Sequence, residues 1–437
     1  MEVNHGTGPS ALQLWAGIEC TLNRVNDSYF DQQEYSGHSR RIEDLKLIAD
    51  LGVRALRQPV LWEHVERTPG HYDFARYDER VLRLKQLGIV PILGLLHHGS
   101  GPRHTSLIDP AFPEKFAHYA AAVAARYPWI DHYTPINEPL TTARFSGLYG
   151  HWYPHGRDDR TFVRAILNQC RATALAMTEI RRVNPGAKLV QTEDMGFTRS
   201  TPPLAYQADF DNARRWLSFD LLTGRVTLRH PCFNYLRANG AERGELALFE
   251  RHPSAPDLLG LNYYVTSERF LDDRLDLYPP CLIGGNGRHH YADVEAVRVC
   301  ASGLRGPEAV MLEAHERYGL PIAITEAHLG CSCDEQIRWL AYVFRSALSA
   351  RSKGVDLRAV TAWAVLGSFG WDRLVTQPGG TYEPGVFELI DGRPRPTPVA
   401  EWLKRAAREG SYETEGGWWA LPERLLYAAH ESEACAA

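Results

Sequence analysis

The chain has 437 residues, a formal net charge of -5 and a composition that is 44% hydrophobic and 23% charged. These proportions are ordinary for a globular protein, and they exclude a disordered or collagen-like chain. The slightly acidic balance argues against a nucleic-acid partner, and no apolar run approaches the ~20 residues that a membrane span needs.

The cysteines and the N-terminus indicate the compartment. Eight cysteines are spaced irregularly along the chain, which predicts reduced thiols instead of a disulfide framework or a zinc site. The first residues lack the basic segment and apolar core of a secretory leader. We therefore expect a cytoplasmic protein.

Short apolar runs alternate along the chain with amphipathic stretches. The runs predict eight strands, at residues 12–18, 55–58, 91–96, 132–136, 188–192, 258–261, 322–325 and 360–365. The stretches predict helices at residues 39–51, 77–87, 113–126, 161–183, 306–318, 334–353 and 397–408. Three of these helices end at a glycine that can supply a left-handed cap before the next strand: Gly52, Gly88 and Gly319.

The repeated strand–helix units predict an α/β fold with a parallel sheet. Eight units fit a single (β/α)8 TIM barrel; an open doubly wound sheet is the alternative, but no G-x-G-x-x-G turn follows the first strand. No linker divides the chain, so we expect the barrel over residues 1–410 and a tail packed on it over residues 411–437. The surplus length falls in extended βα loops, the longest at residues 193–256 and 266–305.

Polar or aromatic residues follow seven of the predicted strands. Active sites of such barrels lie at the carboxyl ends of the strands, so this pattern predicts a catalytic site there. The residues, in chain order, are Arg57, His97, His98, Asn137, Glu138, Glu193, Asp194, Asn262, Tyr263, Tyr264, Glu326 and Trp363, with Trp371 beyond the last strand.

Two carboxylates stand out among these residues. Glu138 and Glu326 follow strands 4 and 7, which face each other across an eight-stranded barrel. Retaining glycoside cleavage needs two carboxyl groups ~5–5.5 Å apart, one a proton donor and one a nucleophile. Glu138 would need a raised pKa to remain protonated. Arg57 could hold Glu326 ionised through a charge-assisted bond, the Tyr264 hydroxyl could orient it, and Trp363 could stack on a sugar.

At these positions the chain resembles glycoside hydrolase family 1, the β-glucosidase family of the barrel clan with catalytic glutamates on strands 4 and 7. Residues 134–139, T-P-I-N-E-P, look like the family's acid/base motif T-x-N-E-P with one extra residue. Residues 324–326, I-T-E, look like the start of its nucleophile motif T-E-N-G. Further matches, in the family's order, are residues 51–57 (L-G-V-R-A-L-R), 150–156 (G-H-W-Y-P-H-G) and 259–264 (L-G-L-N-Y-Y).

The resemblance implies a role for each matching residue. Glu138 would be the acid/base and Glu326 the nucleophile, with Arg57 and Tyr264 holding the nucleophile, while Asn137 would bind the sugar 2-hydroxyl. The rest of the sugar site would include Asn23, His98, Asn262, Trp363 and Trp371. No cofactor or metal would be needed. The partner would be a small-molecule glycoside or an oligosaccharide, and a homo-oligomer is left open.

Four segments of the chain depart from the family pattern. Asn23 stands where the family has a sugar-binding glutamine, Gly99 where it has a tryptophan, and residues 327–328, Ala-His, where it has Asn-Gly. The family's F-E-W after strand 8 reads F-G-W, with Gly370 at its centre. The missing glutamate normally binds two sugar hydroxyls. We therefore expect an unusual glycone, such as a deoxy, pentose or modified sugar, unless another carboxylate compensates; the candidates are Glu19, Glu193 and Asp194.

Three other functions fit parts of the pattern. A transglycosidase would use the same two glutamates, and an endo-acting glucanase or xylanase of the same clan would have an open groove. A catalytically weak sugar-binding accessory protein would explain the altered glycone residues. Retention of Glu138 and Glu326 together with Arg57 and Tyr264 argues against that last alternative.

Overall fold

The computed structural model describes residues 11–427 and contains a closed barrel of parallel strands. Each strand pairs with its neighbour in the chain, and the first pairs with both the second and the last. The strands are β1 (Gln13–Gly17), β2 (Ala55–Pro59), β3 (Val90–His97), β4 (His132–Asn137), β5 (Lys188–Asp194), β6 (Leu258–Asn262), β7 (Ile322–Ala327) and β8 (Leu357–Ala362). The predicted (β/α)8 barrel is confirmed, and the open doubly wound sheet is excluded.

Helices surround the barrel between successive strands. The main ones are Asp44–Ala49, Ala75–Gln86, Phe112–Arg126, Asp159–Val183, Gly306–Tyr318, Cys333–Ser352 and Pro398–Glu409. The β5–β6 connection adds Ala205–Arg214, Leu217–Leu222, Phe233–Ala238 and Arg243–Arg251. Short helices follow β2, at Trp62–Val65, and β4, at Pro139–Ala143. No helix between residues 11 and 427 combines the length and apolar character needed to cross a membrane.

Two predicted boundaries were wrong for local reasons. The helix expected at residues 39–51 is split into a 3-10 turn at His38–Arg40 and the helix from Asp44, because Arg41 is extended. The Asp44 carboxylate joins the two parts by binding the side chains of His38 and Arg41. The last strand ends at Ala362, three residues early, because Ala364 has a left-handed φ of 51°. By contrast, the predicted glycine caps are confirmed, for example by a φ of 64° at Gly319.

The barrel interior changes from apolar to polar along the strands. A small inner cluster contains Trp15, Ala55, Ile92, Val190, Ala323 and Ala359. Two residues beyond Ala55 on the same strand face, β2 presents the buried Arg57. On three other strands a buried threonine likewise follows the inner-cluster residue by two positions: Thr192 follows Val190, Thr325 follows Ala323 and Thr361 follows Ala359. The apolar plug therefore supports a polar layer at the carboxyl ends of the strands.

The described part of the tail packs on the outside of the barrel. Tyr412 stacks on Phe344, with ring centroids 4.3 Å apart, and Trp419 meets Trp339 edge-on at 5.0 Å. Both partners belong to the helix Cys333–Ser352. The boundary at residue 410 stays a prediction, and residues 428–437 lie outside the described residues.

Candidate active site

The nucleophile candidate, Glu326, is held by two donors at the carboxyl end of β7. One carboxylate oxygen accepts a hydrogen bond from Arg57 at 2.6 Å, and the other accepts one from the Tyr264 hydroxyl at 2.5 Å. Only 2% of Glu326 is exposed. Burial raises the pKa of Glu326 to about 7, while Arg57 and Tyr264 oppose this rise. The structure thus brings together the three residues that the sequence grouped around the nucleophile.

Arg57 binds both Glu326 and the end of β4. Its Nη1 also donates to the Thr325 carbonyl oxygen at 3.0 Å, and its Nη2 donates to Asn137 Oδ1 at 2.5 Å. The Thr192 hydroxyl donates to the same Asn137 oxygen at 2.8 Å. Since both bonds use the oxygen of the amide, Asn137 Nδ2 has only a 3.4 Å contact with His97 and can donate elsewhere.

The second carboxyl group, Glu138, lies in a different environment. Asn262 Nδ2 donates to one of its oxygens at 2.5 Å, and His98 Nε2 lies 3.8 Å from the other. Burial raises the pKa of Glu138 well above its usual range, and the negative charge of Glu326 raises it further. Burial lowers the pKa of His98 to about 3, so this imidazole is neutral at pH 7. Both side chains beside Glu138 are therefore neutral, and its surroundings favour the protonated form.

Local backbone geometry sets the direction of Glu138. Its φ is 45°, and the next residue, Pro139, begins a short helix. A left-handed non-glycine residue costs about 1–3 kcal/mol and is found most often at functional sites. His98, on the neighbouring strand end, is also left-handed, with a φ of 56°, and its Nδ1 is 3.0 Å from the Thr142 hydroxyl.

Aromatic side chains form one wall of the site. Trp363 lies nearly parallel to His97, with ring centroids 5.4 Å apart, and the Arg57 guanidinium carbon is 4.5 Å from its ring centre. Trp371 contacts the rings of His98 and Trp152. A sugar can stack only on the Trp363 surface that its protein neighbours leave open.

Two residues of this wall are missing from the predicted sugar site. His97 directly precedes the predicted His98, and Trp152 lies in the family-like segment 150–156. Both signals were present in the sequence. Their contacts with Trp363 and Trp371 depend on tertiary structure.

Residues 370–376, here called the rim segment, lie along the edge of the site. Asn23 Nδ2 donates to the Val375 carbonyl oxygen at 2.9 Å, and Trp152 Nε1 donates to that of Leu374 at 2.7 Å. Leu374 and Val375 are both left-handed, with φ values of 52° and 49°. The rim segment is therefore held in a strained shape by two side chains from distant parts of the chain.

The family-pattern departures have structural counterparts. Gly370 has a φ of 73°, and a Cβ there would lie 2.6 Å from the Gly379 carbonyl oxygen, so a glutamate does not fit this backbone. At Gly99 a Cβ would lie 1.9 Å from a carboxyl oxygen of Glu63, which occupies that space. Burial raises the pKa of Glu63 to about 8. At both positions the surrounding structure therefore leaves no room for the side chain that the family has there.

Glu193 is a helix cap. Its carboxylate accepts hydrogen bonds from the backbone N–H groups of Leu140 and Thr141 at 2.8 and 3.2 Å, and from the Ser218 hydroxyl at 2.6 Å. The neighbouring Asp194 accepts a bond from the Ser267 hydroxyl at 2.5 Å. These bonds occupy Glu193, which the sequence offered as a candidate to replace the missing glutamate.

No cluster of three or more His, Cys, Asp or Glu suited to a metal ion occurs within residues 11–427. The cysteines of the same range are free thiols, while Cys435 lies outside it.

Comparisons with known proteins agree with this architecture. A family model described as glycosyl hydrolase family 1 matches residues 5–380. A bifunctional beta-D-glucosidase/beta-D-fucosidase from Bifidobacterium breve is 27% identical over 417 residues, which cover 84% of this chain and 86% of that protein. An aryl-phospho-beta-D-glucosidase from Bacillus subtilis (strain 168) is 23% identical over 415 residues, covering 83% and 84%. The beta-glucosidase from Thermotoga maritima, solved with a methoxycarbonyl-substituted glucoimidazole, has the same fold, with a TM-score of 0.74, 18% identity, and coverage of 93% of this chain and 99% of that one.

Proposed function

Because the chain belongs to glycosyl hydrolase family 1, whose members are O-glycosyl hydrolases, we propose that it is a retaining β-glycosidase that forms a covalent glycosyl–enzyme intermediate on Glu326. The observation that carries this proposal is the contrast between its two buried carboxyl groups. Glu326 is bonded to a guanidinium and a hydroxyl, whereas Glu138 is bonded to a neutral amide. One group is stabilised as an anion, and the other as an acid.

In the first step Glu326 attacks the anomeric carbon while Glu138 gives its proton to the leaving oxygen. The glycosidic bond breaks, and its electron pair stays with the protonated leaving group. The pKa order favours this assignment, since burial and the charge of Glu326 together keep Glu138 protonated. Asn137 Nδ2, which lacks a short protein bond, can donate to the sugar 2-hydroxyl.

The second step follows from the same electrostatics. Once Glu326 is an ester, it no longer carries the negative charge that raises the pKa of Glu138. The pKa of Glu138 falls, and its carboxylate can remove a proton from water as that water attacks the anomeric carbon. The ester bond breaks, Glu326 leaves as a carboxylate, and the proton is back on Glu138.

An unusual glycone is part of the proposal. The rebuilt backbone at Gly370 and the attachment of Asn23 to Val375 change two family sugar contacts together. The name of the Bifidobacterium breve relative includes β-D-fucosidase, an activity on a deoxy sugar. That relative supports testing deoxy glycosides first.

A panel of aryl β-glycosides tests the proposal. Wild-type protein and Glu326→Ala would be assayed on the fucoside, xyloside, galactoside, glucoside and glucuronide, and 2-fluoro glycosides would trap the intermediate for peptide mass spectrometry. We expect turnover of at least one glycoside by wild type only, and an adduct on Glu326. Absence of both would refute the assignment.

Azide distinguishes the roles of the two glutamates. In Glu326→Gly, azide in the vacated space would attack the face that the carboxylate attacked, giving an α-glycosyl azide. In Glu138→Gly, azide would attack the glycosyl–enzyme and give the β-product. The reverse stereochemistry would show that the roles are exchanged.

A further inference from the structure

A third buried carboxylate, Glu19, lies beside the catalytic group and has no role in the two steps. It follows β1 by two residues, and 5% of it is exposed. One carboxylate oxygen accepts a hydrogen bond from the backbone N–H of Thr21 at 2.8 Å, and the other lies 3.3 Å from Trp363 Nε1. Both partners are neutral, and the indole contact is longer than the usual ~2.9–3.0 Å. This second oxygen retains most of its capacity to accept.

Glu19 lies on the sugar side of the site. Its indole partner, Trp363, is the ring that contacts Arg57, which in turn binds Glu326. Burial is the main cause of the raised pKa of Glu326, and the charge of Glu19 adds to it. The same charge contributes to the raised pKa of Tyr264, again after burial. Glu19 thus contacts the same indole ring as Arg57, the residue that binds the nucleophile.

A second hydrogen-bond acceptor, Asn23, lies four residues further along the same segment after β1. Asn23 is buried, and its Nδ2 is used by the Val375 carbonyl oxygen. Its Oδ1 is buried and, among residues 11–427, has no hydrogen-bond partner. A buried acceptor without a donor costs about 1–3 kcal/mol. Glu19 and Asn23 each have an oxygen atom that can accept a further hydrogen bond. Sugar hydroxyls could donate these bonds.

The other two candidate carboxylates already accept hydrogen bonds from protein donors. Glu193 accepts three or more bonds at the start of the helix Pro139–Ala143, and Asp194 is bound by the Ser267 hydroxyl. Gly370 cannot regain a glutamate without a clash.

We propose, on the basis of the proposed glycosidase function, that Glu19 is the carboxylate that binds the glycone, accepting hydrogen bonds from its hydroxyls with Asn23 Oδ1 as a second acceptor. The subsite then takes neutral, hydroxyl-bearing glycones and rejects anionic ones. A phosphate or uronate on the sugar would meet a buried carboxylate that, within residues 11–427, forms no ion pair; its hydrogen-bond donors are the Thr21 N–H and the Trp363 indole. Residues after β1, Glu19 and Asn23, would thus select the glycone. They would take over the role of the glutamate that the family has after β8, where this chain has Gly370.

The test combines enzyme variants with modified substrates. The neutral aryl glycoside that wild type cleaves best would be compared with its monodeoxy analogues, using wild type, Glu19→Gln and Glu19→Asp. For Glu19→Gln we expect kcat/KM on the parent glycoside to fall about 10- to 100-fold, the range for a hydrogen bond to a charged group. On the analogue that lacks the bonded hydroxyl, the same substitution should change kcat/KM less than about threefold.

Anionic glycosides test the charge separately from the hydrogen bond. Wild type and Glu19→Asp should discriminate against the glucuronide and the 6-phosphoglucoside, whereas Glu19→Gln should raise the ratio of anionic to neutral kcat/KM about tenfold or more. A wild type that prefers an anionic glycoside would overturn the proposal. The proposal would also be overturned if Glu19→Gln lowered kcat/KM equally on every monodeoxy analogue, because a purely structural role would affect all substrates alike.

The control is Glu66→Gln. Glu66 is also buried and accepts from an indole, Trp62 Nε1, and from a backbone N–H, that of Gly70, but it lies away from the catalytic pair. This variant should leave the ranking of glycosides unchanged.

Trapping on Glu326 with a 2-fluoro glycoside separates the two proposals. An adduct without substrate-selective loss in Glu19→Gln refutes the role of Glu19 alone, and no adduct in any protein refutes the glycosidase function.

Discussion

Replacement of Tyr264 by phenylalanine would remove one of the two donors that keep Glu326 ionised. The hydroxyl donates to the carboxylate at 2.5 Å, and a hydrogen bond to a charged group contributes about 1.5–3 kcal/mol. At 1.36 kcal/mol per pKa unit, its loss corresponds to a rise of about 1–2 units in the pKa of Glu326. The bond favours the anion, so the sign of the change is upward, from a starting value of about 7.

The assay is the pH dependence of kcat/KM on an aryl glycoside. The acid limb of the wild-type profile, which reports the free enzyme, should lie near pH 7, and that of Tyr264→Phe about 1–2 units higher. At pH 6 the variant would then lose about 10- to 100-fold in rate, and the loss would shrink above the new limb. Remaining activity at high pH would show that the site is still assembled.

The adjacent tyrosine provides the control. Tyr263 donates its hydroxyl to Glu268 at 2.8 Å and stacks on Trp339, on the outer side of the strand. Tyr263→Phe should leave the acid limb in place, even if the protein is less stable. The reasoning would be refuted if the limb of Tyr264→Phe stayed at the wild-type position or moved to lower pH.

Three further predictions concern stability and the rim segment. Glu63 has a pKa raised from 4.5 to about 8 by burial, so stability should fall as pH rises through this window, and Glu63→Gln should flatten the Tm–pH curve; equal slopes in both proteins would contradict this. Trp419→Ala removes a buried ring that packs on Trp339 and should cost about 3–5 kcal/mol in denaturant unfolding, whereas a cost under 1 kcal/mol would mean that the tail is not docked. Trp152→Phe removes the donor to the Leu374 carbonyl oxygen and should raise KM more than it lowers kcat; the reverse pattern would place Trp152 in the chemical step.

The juxtaposition of Glu138 and Glu326 could be predicted from the sequence because parallel strands bring their carboxyl ends together. Each lies at the carboxyl end of a predicted strand, so strand direction alone places both at the same end of the barrel. Arg57 and Tyr264 were predictable for the same reason, and both contact Glu326 as expected.

Features that depend on distant partners could not be predicted. Glu193 was a candidate sugar-binding carboxylate, and its role as a helix cap appears only from the N–H groups of Leu140 and Thr141, more than 50 positions away in the chain. The rim segment was missed because neither Leu374 nor Val375 is a residue type that signals a left-handed backbone. Its shape depends on donors from Asn23 and Trp152, each more than 200 positions away in the chain.

The consecutive left-handed residues Leu374 and Val375 make the rim a place where folding stability and catalytic geometry oppose each other. Such backbone states cost about 1–3 kcal/mol each, a noticeable part of the ~5–15 kcal/mol that stabilises a typical domain. Selection for heat resistance would therefore favour substitutions that relax this segment. Relaxation would move the Val375 carbonyl oxygen away from Asn23 and break the hydrogen bond between them. The segment after β1 that carries both Asn23 and Glu19 would then shift as well. A more thermostable descendant of this enzyme would accordingly tend to be a less selective one.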